Sequence, residues 1–330
     1  MLRGWTLWLL LAGLTVSGPA ATLNKDYLGA DTRWVLHLDL EAFKKSKLGT
    51  LILTDVQSQH SEKIKALEEL LGFNLLTDIN HITLFGPDSQ EQNGVLLIEG
   101  RFNPQKITAL LALNKDYQKS AYGQYILHEW FDELRSRTQV GTFARENLII
   151  LSQSRQALEQ TLDVLDGKRP SLSASGWPVF PNNVSQEPIV LLAADEVKHL
   201  TENQPHAAIL ANTQSMLFAA AENGMTFQAD SFLQTADSQT ALQIEQAFLG
   251  MKAFLTLSGN KPSALTSLLQ NWQIQTDGNL VSIHFEVPTD TLYEALKQWH
   301  LSHEQAKSKP TENPTSEEVS PSPAPAPAEP

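Results

Sequence analysis

The chain has 330 residues, no cysteine and a formal net charge of −13, with 37 acidic against 24 basic side chains. The lack of cysteine excludes a disulfide framework, a thiolate metal site, a cysteine nucleophile and a lipid-bearing cysteine. The acidic balance disfavours a nucleic-acid partner and docking on anionic lipid, and its plainer role is to keep the protein soluble.

The N-terminus reads as an address. Arg3 gives a basic start, and Thr6–Val16 is an almost uncharged apolar run too short for a bilayer of ~30 Å. Gly18 and Ala20 fit the small-residue positions of a cleavage site, so residues 1–20 are expected to be a cleaved signal peptide. The mature protein is then periplasmic, extracellular or in the cell envelope. No later run of about 18 apolar residues follows, so no stable membrane insertion is expected after cleavage.

Residues 28–168 are predicted as a first α+β domain. Trp34, Leu36, Leu38 and Leu40 alternate with Val35, His37 and Asp39, the period of a strand. Helices over Glu41–Leu53 and Glu62–Leu71 follow, the second capped by Ser61 and stopped by Gly72. Strands His81–Phe85 and Val95–Gly100 precede a helix begun by Asn103-Pro104. Tyr122–Trp130, Thr138–Phe143 and Leu148–Ser152 read as three more strands, the last two joined by an Arg145-Glu146-Asn147 turn. A helix between Ser154 and Gly167 closes the unit.

Residues 169–187 read as a linker whose Trp177 and Phe180 should hold it against a domain. The second domain, 188–303, repeats the order. Pro188–Ala194 is a short buried strand, followed by a helical stretch to Leu210. A hairpin turns at Asn223-Gly224, and a helix over Ser238–Leu257 points Ala241, Ile244, Phe248, Met251 and Leu255 one way. A short helix Pro262–Leu269, a second hairpin at Asp277-Gly278 and a helix Asp290–Trp299 complete it. Residues 304–330, rich in Pro, Ala, Ser and Glu, are expected to be a disordered tail that serves as a solubilising end, a spacer or a docking strip. The element order predicts two tandem α+β layers of ferredoxin-like type with mostly antiparallel sheets, a diverged duplication.

No phosphate cradle, nucleophile elbow, zincin helix or paired CxxC is present, so no cofactor is implied. The candidate ligand-binding residues are His37, Asp39, His81, Phe85, His128 and Trp130. His37 and Asp39 share one strand face roughly 7 Å apart, and neighbouring strands can add the others. His37, Asp39, His81 and His128 would also be the set of a metal-dependent hydrolase. Against that, Asp39 stands where a strand hands over to a helix and is well placed to cap it, as is Asp195 in the second half. His300 and His303, one turn apart beside Glu304, read as a solvated helix end. His284 and Glu286 read as ordinary polar-out alternation opposite Val281, Ile283, Phe285 and Val287. His60, His199 and His206 stand alone. Tyr122, Tyr125, Trp130 and Phe131 read as sheet packing before a binding strip. Asn183-Val184-Ser185 matches a glycosylation acceptor without confirming context.

The opening Ala30-Asp31-Thr32-Arg33-Trp34-Val35-Leu36-His37-Leu38-Asp39 resembles the start of a group of uncharacterised exported bacterial proteins. So do Leu71-Gly72-Phe73, Ile82-Thr83-Leu84-Phe85-Gly86 and Leu162–Gly167. The likeness covers about 30 to 300. It implies export from a bacterial cell and a shared domain plan, and it carries over no catalytic residue. Together these features favour a non-enzymatic binding or scaffolding protein whose partner is a protein or envelope component.

Overall fold

Trp34–Asp39 does fold as a strand (β1), with Val35, His37 and Asp39 buried on one face and Trp34, Leu36 and Leu38 half-buried on the other. In the computed structural model, which describes residues 23–175, 177, 188–197, 212–257, 268 and 272–308, this strand sits at the centre of the molecule. Its exit is set by Asp39, whose carboxylate accepts the Ala42 N–H at 2.8 Å and caps helix α1 (Leu40–Lys45). Ser46 ends α1 and caps α2 (Lys47–Leu71) by accepting the Gly49 N–H. The two predicted helices here are thus divided elsewhere. Ser61 lies inside α2 and caps nothing, the only irregularity there being His60, and the chain leaves at Gly72 with φ +78°.

The rest of the first half is β2 (Ile79–Gly86), β3 (Val95–Gly100), α3 (Pro104–Leu111), β4 (Gln118–Tyr122), β5 (Tyr125–Asp132), β6 (Arg137–Arg145), β7 (Leu148–Ser152) and α4 (Arg155–Leu165). Asn103 and Ser154 cap α3 and α4 as their positions predicted. The single strand expected over Tyr122–Trp130 is instead the junction of β4 and β5. Gly123 takes φ +56°, which a side chain would resist, and reverses the chain there. The second half is β8 (Val190–Asp195), β9 (Thr213–Asn223), β10 (Thr226–Thr235), α5 (Ser238–Leu257), β11 (Gln273–Asp277), β12 (Leu280–Pro288) and α6 (Thr289–Ser308). Both predicted hairpins form, but one residue later than expected: Asn223 pairs with Thr226 and Asp277 with Leu280, so the turns are Gly224-Met225 and Gly278-Asn279, with only the glycines at positive φ. α6 continues past the expected end at Trp299, because good helix formers run on to Lys307 before Pro310 can intervene.

Among the described residues all twelve strands belong to one sheet, in the order β11-β12-β10-β9-β8-β1-β2-β3-β7-β6-β5-β4, and every ladder is antiparallel. The α+β class with a mostly antiparallel sheet is as expected. Two details differ. The halves are not separate layers but are joined edge to edge where β1 pairs with β8, Leu36 facing Leu192 and His37 facing Leu191. Nor is either half ferredoxin-like, since β2 lies directly beside β1 with no strand inserted between the two that the first crossover joins. Outward from the seam the order is β1, β2, β3, β7, β6 on one side and β8, β9, β10, β12, β11 on the other, with β5 and β4 added to the first half alone.

The seam follows from composition. β8 is apolar on both faces up to Asp195, and β1 is apolar on one face and carries Val35 with the buried His37 and Asp39 on the other, which suits strands paired and covered on both sides. The two sheet edges are β4 and β11, where Gln118, Lys119, Gln273, Gln275 and Asp277 discourage further pairing. On the Val35 face the main core joins Val35, Leu97, Ile150 and Leu191 to Leu158 and Leu162 of α4, with Leu28, Leu172 and Trp177 packed over it. The predicted docking of the linker thus holds at Trp177. On the opposite face α5 packs Ala241 and Ile244 on Leu233 and Val281, and α6 packs Leu292 and Ala295 with Val287 and Leu48. The expected α5 stripe turns away after Phe248. Half-buried Lys252, donating to the Trp272 carbonyl at 2.9 Å, takes the inward position, leaving Met251 exposed and Phe254 69% exposed. Glu222, at the end of β9, ties the halves again by accepting the Lys47 and Leu48 N–H groups and the Thr289 hydroxyl.

No helix among the described residues is long and apolar enough to cross a membrane. Outside the described residues lie the expected signal peptide, Phe180 and most of the linker, the acceptor at Asn183, the helical stretch to Leu210 with His199 and His206, the short helix Pro262–Leu269 apart from Leu268, and the tail from residue 309.

Because the seam is shared, a cavity there should weaken both halves. Leu191→Ala, at a fully buried seam position, is expected to cost about 3 kcal/mol. Urea unfolding followed by circular dichroism and by tryptophan fluorescence should shift together to lower denaturant. Loss of one signal with the other unmoved would show that the halves unfold independently.

Candidate functional site

Register decides which of the six sequence candidates meet. Asp39 is paired with His81 and His81 with Glu99, while His37 is paired with Thr83, so all five side chains project from one sheet face at the end of the central strands. The His37 and His81 rings stack at 5.7 Å and 24°. His37 Nδ1 lies 2.8 Å from the Thr83 hydroxyl. His81 Nε2 is 3.7 Å from Asp39 Oδ1 and its Nδ1 is 3.9 Å from Glu99 Oε1. Neither distance is a hydrogen bond, and His81 Nε2 is buried without one.

The electrostatics follow from burial. Desolvation pushes His37 down to about 4, the neighbouring His81 pushes the same way, and Asp39 opposes both. Burial raises the Glu99 carboxyl, against the pull of His81 and Arg145. At neutral pH His37 is therefore an uncharged imidazole held by a threonine, and Asp39 is committed to its helix cap. Both are buried, so neither is presented to a substrate in solution.

His128 and Trp130 are elsewhere. Through Gly141, Leu151, Leu96 and Leu84 the His128 position aligns with Leu36, on the face opposite His37. The His37, Asp39, His81 and His128 side chains therefore do not converge, and the metal set drawn from the sequence is divided by the sheet itself. Among the described residues no three His, Asp or Glu side chains are grouped to hold a metal ion. His128 instead receives a 2.7 Å contact from the Tyr117 hydroxyl at Nδ1 and meets the Phe143 ring edge-on at 5.6 Å. Trp130 lies over Gly141, where a Cβ would come within 2.5 Å of the Leu151 side chain, so a larger residue there would have to displace that leucine.

An open cleft of about 500 Å³ surrounds His128. Its walls are Phe143, Tyr125 and Ile126, with Thr108 of α3, Gln124 and Lys119 supplying polar groups. Ile126 is 52% exposed, an aliphatic side chain left in water at the mouth. Burial lowers the His128 pKa and the Lys119 ammonium lowers it further. This cleft can hold a flat or aliphatic ligand against aromatic walls and offer it one cation.

Phe85 belongs to neither group. It shares the His37 face two residues beyond Thr83 and lines a separate cavity beneath α4. In the second half His284 hydrogen-bonds Asp230 at 2.8 Å, which raises its pKa, and Glu286 beside it is exposed. His300 is exposed on α6. The residues missed from the sequence are Glu99, Thr83, Tyr117 and Lys119. Glu99 carried a usable signal, a carboxylate inside the otherwise apolar strand Val95–Gly100.

Two titrations check these environments. An unfolded His37 takes its proton near pH 6.5 and the folded one only near 4, so the unfolded state binds more protons in between. Stability is then full above pH 6.5 and falls toward pH 4, by on the order of 3 kcal/mol from this group. Glu99 works against it, its raised carboxyl costing stability as the pH rises above 4.5. His37→Gln should flatten the loss of urea midpoint between these limits, and an unchanged slope would contradict the assignment. For the cleft, Lys119→Gln removes a repelling cation and should raise the His128 pKa followed by imidazole proton NMR; a fall or no change would place the lysine elsewhere.

No protein-family model and no curated protein matches the chain. Among solved structures it is similar to TP0453 in crystal form III, at 10% identity and a TM-score of 0.46, covering 84% of this chain and 98% of that one. Crystal form I of TP0453 gives 9% identity and a TM-score of 0.44 over 84% of this chain and 97% of that one. A likeness of this depth says nothing of ligand or activity.

Proposed function

We propose that the protein is an exported, non-enzymatic binding or scaffolding protein of the bacterial periplasm or cell envelope. The observation that carries it is the separation of reactive side chains from open surface. Apart from His128, the imidazole and carboxylate groups that resemble a catalytic set are buried or half-buried and engaged in stacking, a threonine contact and a helix cap. The open cleft at His128 is walled by aromatic and aliphatic side chains, with polar groups enough to orient a ligand but not to activate one. Export is supported by the basic start, apolar run and small-residue site of Met1–Ala20.

The test combines place and chemistry. Cells producing the full chain are fractionated, and the purified mature protein is offered ester, phosphate, peptide and glycoside substrates. The chain is expected outside the cytoplasm with its N-terminus at Ala21, and no substrate should turn over. Retention of residues 1–20 in the cytoplasm, or turnover lost on Asp39→Asn, overturns the proposal.

A further inference from the structure

The cavity beneath α4 is a second concave site, on the face opposite the His128 cleft. Its volume is about 210 Å³, below the ~300–1,000 Å³ of pockets for drug-sized molecules, so its ligand is small. Phe85 and Val95 of the sheet form an apolar floor, and one side of α4 from Gln156 to Val164 forms the wall. Gln156 and Gln160, one helical turn apart, both line it, and neither amide has a hydrogen-bond partner among the described residues. Asn93 adds an amide that gives one hydrogen to Asp88 at 2.8 Å, which leaves its carbonyl oxygen as an acceptor.

Charge at the mouth is balanced. Asp31 and Arg169 pair at 3.4 Å across the entrance, and their two segments are held together by the Gly29–Ser171 bridge and the Ala30 N–H to Pro170 carbonyl bond. A site for an anion or a cation would carry an excess of the opposite sign, and here each charge already has its partner. What the walls leave unused are amides, which donate and accept alike, above an apolar floor. That combination matches a neutral polyhydroxylated ring, whose hydroxyls need alternating donors and acceptors and whose C–H face needs an apolar support.

We infer that the cavity between β2, β3 and α4 binds a single neutral sugar unit, held by Gln156, Gln160 and Asn93 with Phe85 as its floor. This rests on the reading of the chain as a binding protein, and the two fail separately. Release of sugar products would sink that reading, whereas an absence of sugar binding with no turnover would sink only this one.

The experiment titrates the mature protein by calorimetry and by amide NMR with D-glucose, N-acetyl-D-glucosamine and their methyl glycosides, and in parallel with inorganic phosphate and L-serine. At least one neutral sugar should saturate in the millimolar range or tighter. The double variant Gln156→Ala, Gln160→Ala should weaken it by about tenfold. Both positions lie on helix surface where alanine favours the helix, so an unchanged urea transition serves as the folding control. Arg169→Leu should leave sugar binding within about twofold, as for an exposed ion pair outside the contact. If no neutral sugar saturates at tens of millimolar, or if phosphate or serine alone binds, the inference is overturned. It is equally overturned if the glutamine variant binds as well as the parent protein, or if Arg169→Leu abolishes binding.

Discussion

The ladder between β1 and β8 is the constraint on which the rest of the structure depends. It is nearly symmetric in its hydrogen bonds. The Asp39 N–H donates to the Ile189 carbonyl and the Asp195 N–H to the Arg33 carbonyl, at 2.9 and 2.7 Å. The neighbouring strands repeat the exchange, Arg33 N–H to Gly86 and Ile189 N–H to Ala220, at 2.9 and 2.8 Å. Each half begins with a strand buried or half-buried on both faces, which is poorly suited to a sheet edge, and each covers the other's open side. Once that pairing is made, the strands of both halves follow outward in the same order, and the polar strands β4 and β11 are left at the ends.

The seam also explains the buried ionisable residues. Asp39 ends a central strand, so its carboxylate is carried into the interior by the pairing and is satisfied there by capping α1. Asp195 ends the other central strand but stays half exposed, paired with Arg33 at 3.3 Å and accepting the Glu196 N–H at 3.0 Å. The two aspartates are alike in sequence position and unlike in surroundings. Around Asp39 a stacked imidazole pair and Glu99 fill the space, and their opposed pKa shifts mean that burial there acts on stability in both directions as the pH changes. Such a cluster shapes how the fold responds to acid.

Much of this was legible in local sequence, and what was not has a common cause. Asn103-Pro104 and Ser154 act within a few residues and cap their helices as their chemistry predicted, and Gly224 and Gly278 reverse the chain at the two predicted hairpins, one residue beyond the expected pair. Ser61 failed because a cap depends on where the helix begins, and tertiary contacts of Leu48 and Ile52 with α6 start α2 at Lys47. Gly123 was passed over because aromatic residues on both sides looked like one strand. The site was less legible still. Parity within one strand correctly placed His37 with Asp39, but relating His128 to them required the register of five successive ladders, and one step of parity there moves a side chain to the other face.

The distribution of open surface follows the one departure from the common order. β4 and β5 have no counterpart beyond β11, and it is this added hairpin, with the Asn114-Lys115-Asp116 turn leading into it, that builds the cleft. Asn114 fixes the approach by donating to the Phe131 carbonyl at 2.9 Å, and Tyr117 follows by engaging His128. The shared strands carry the seam and the core, where a change on one side is felt on the other. An extra hairpin at a sheet edge is free of that restraint, since it adds aromatic and cationic side chains without altering the register within. The His128 cleft therefore falls where the two halves differ, while the strands they hold in common carry the seam and the core.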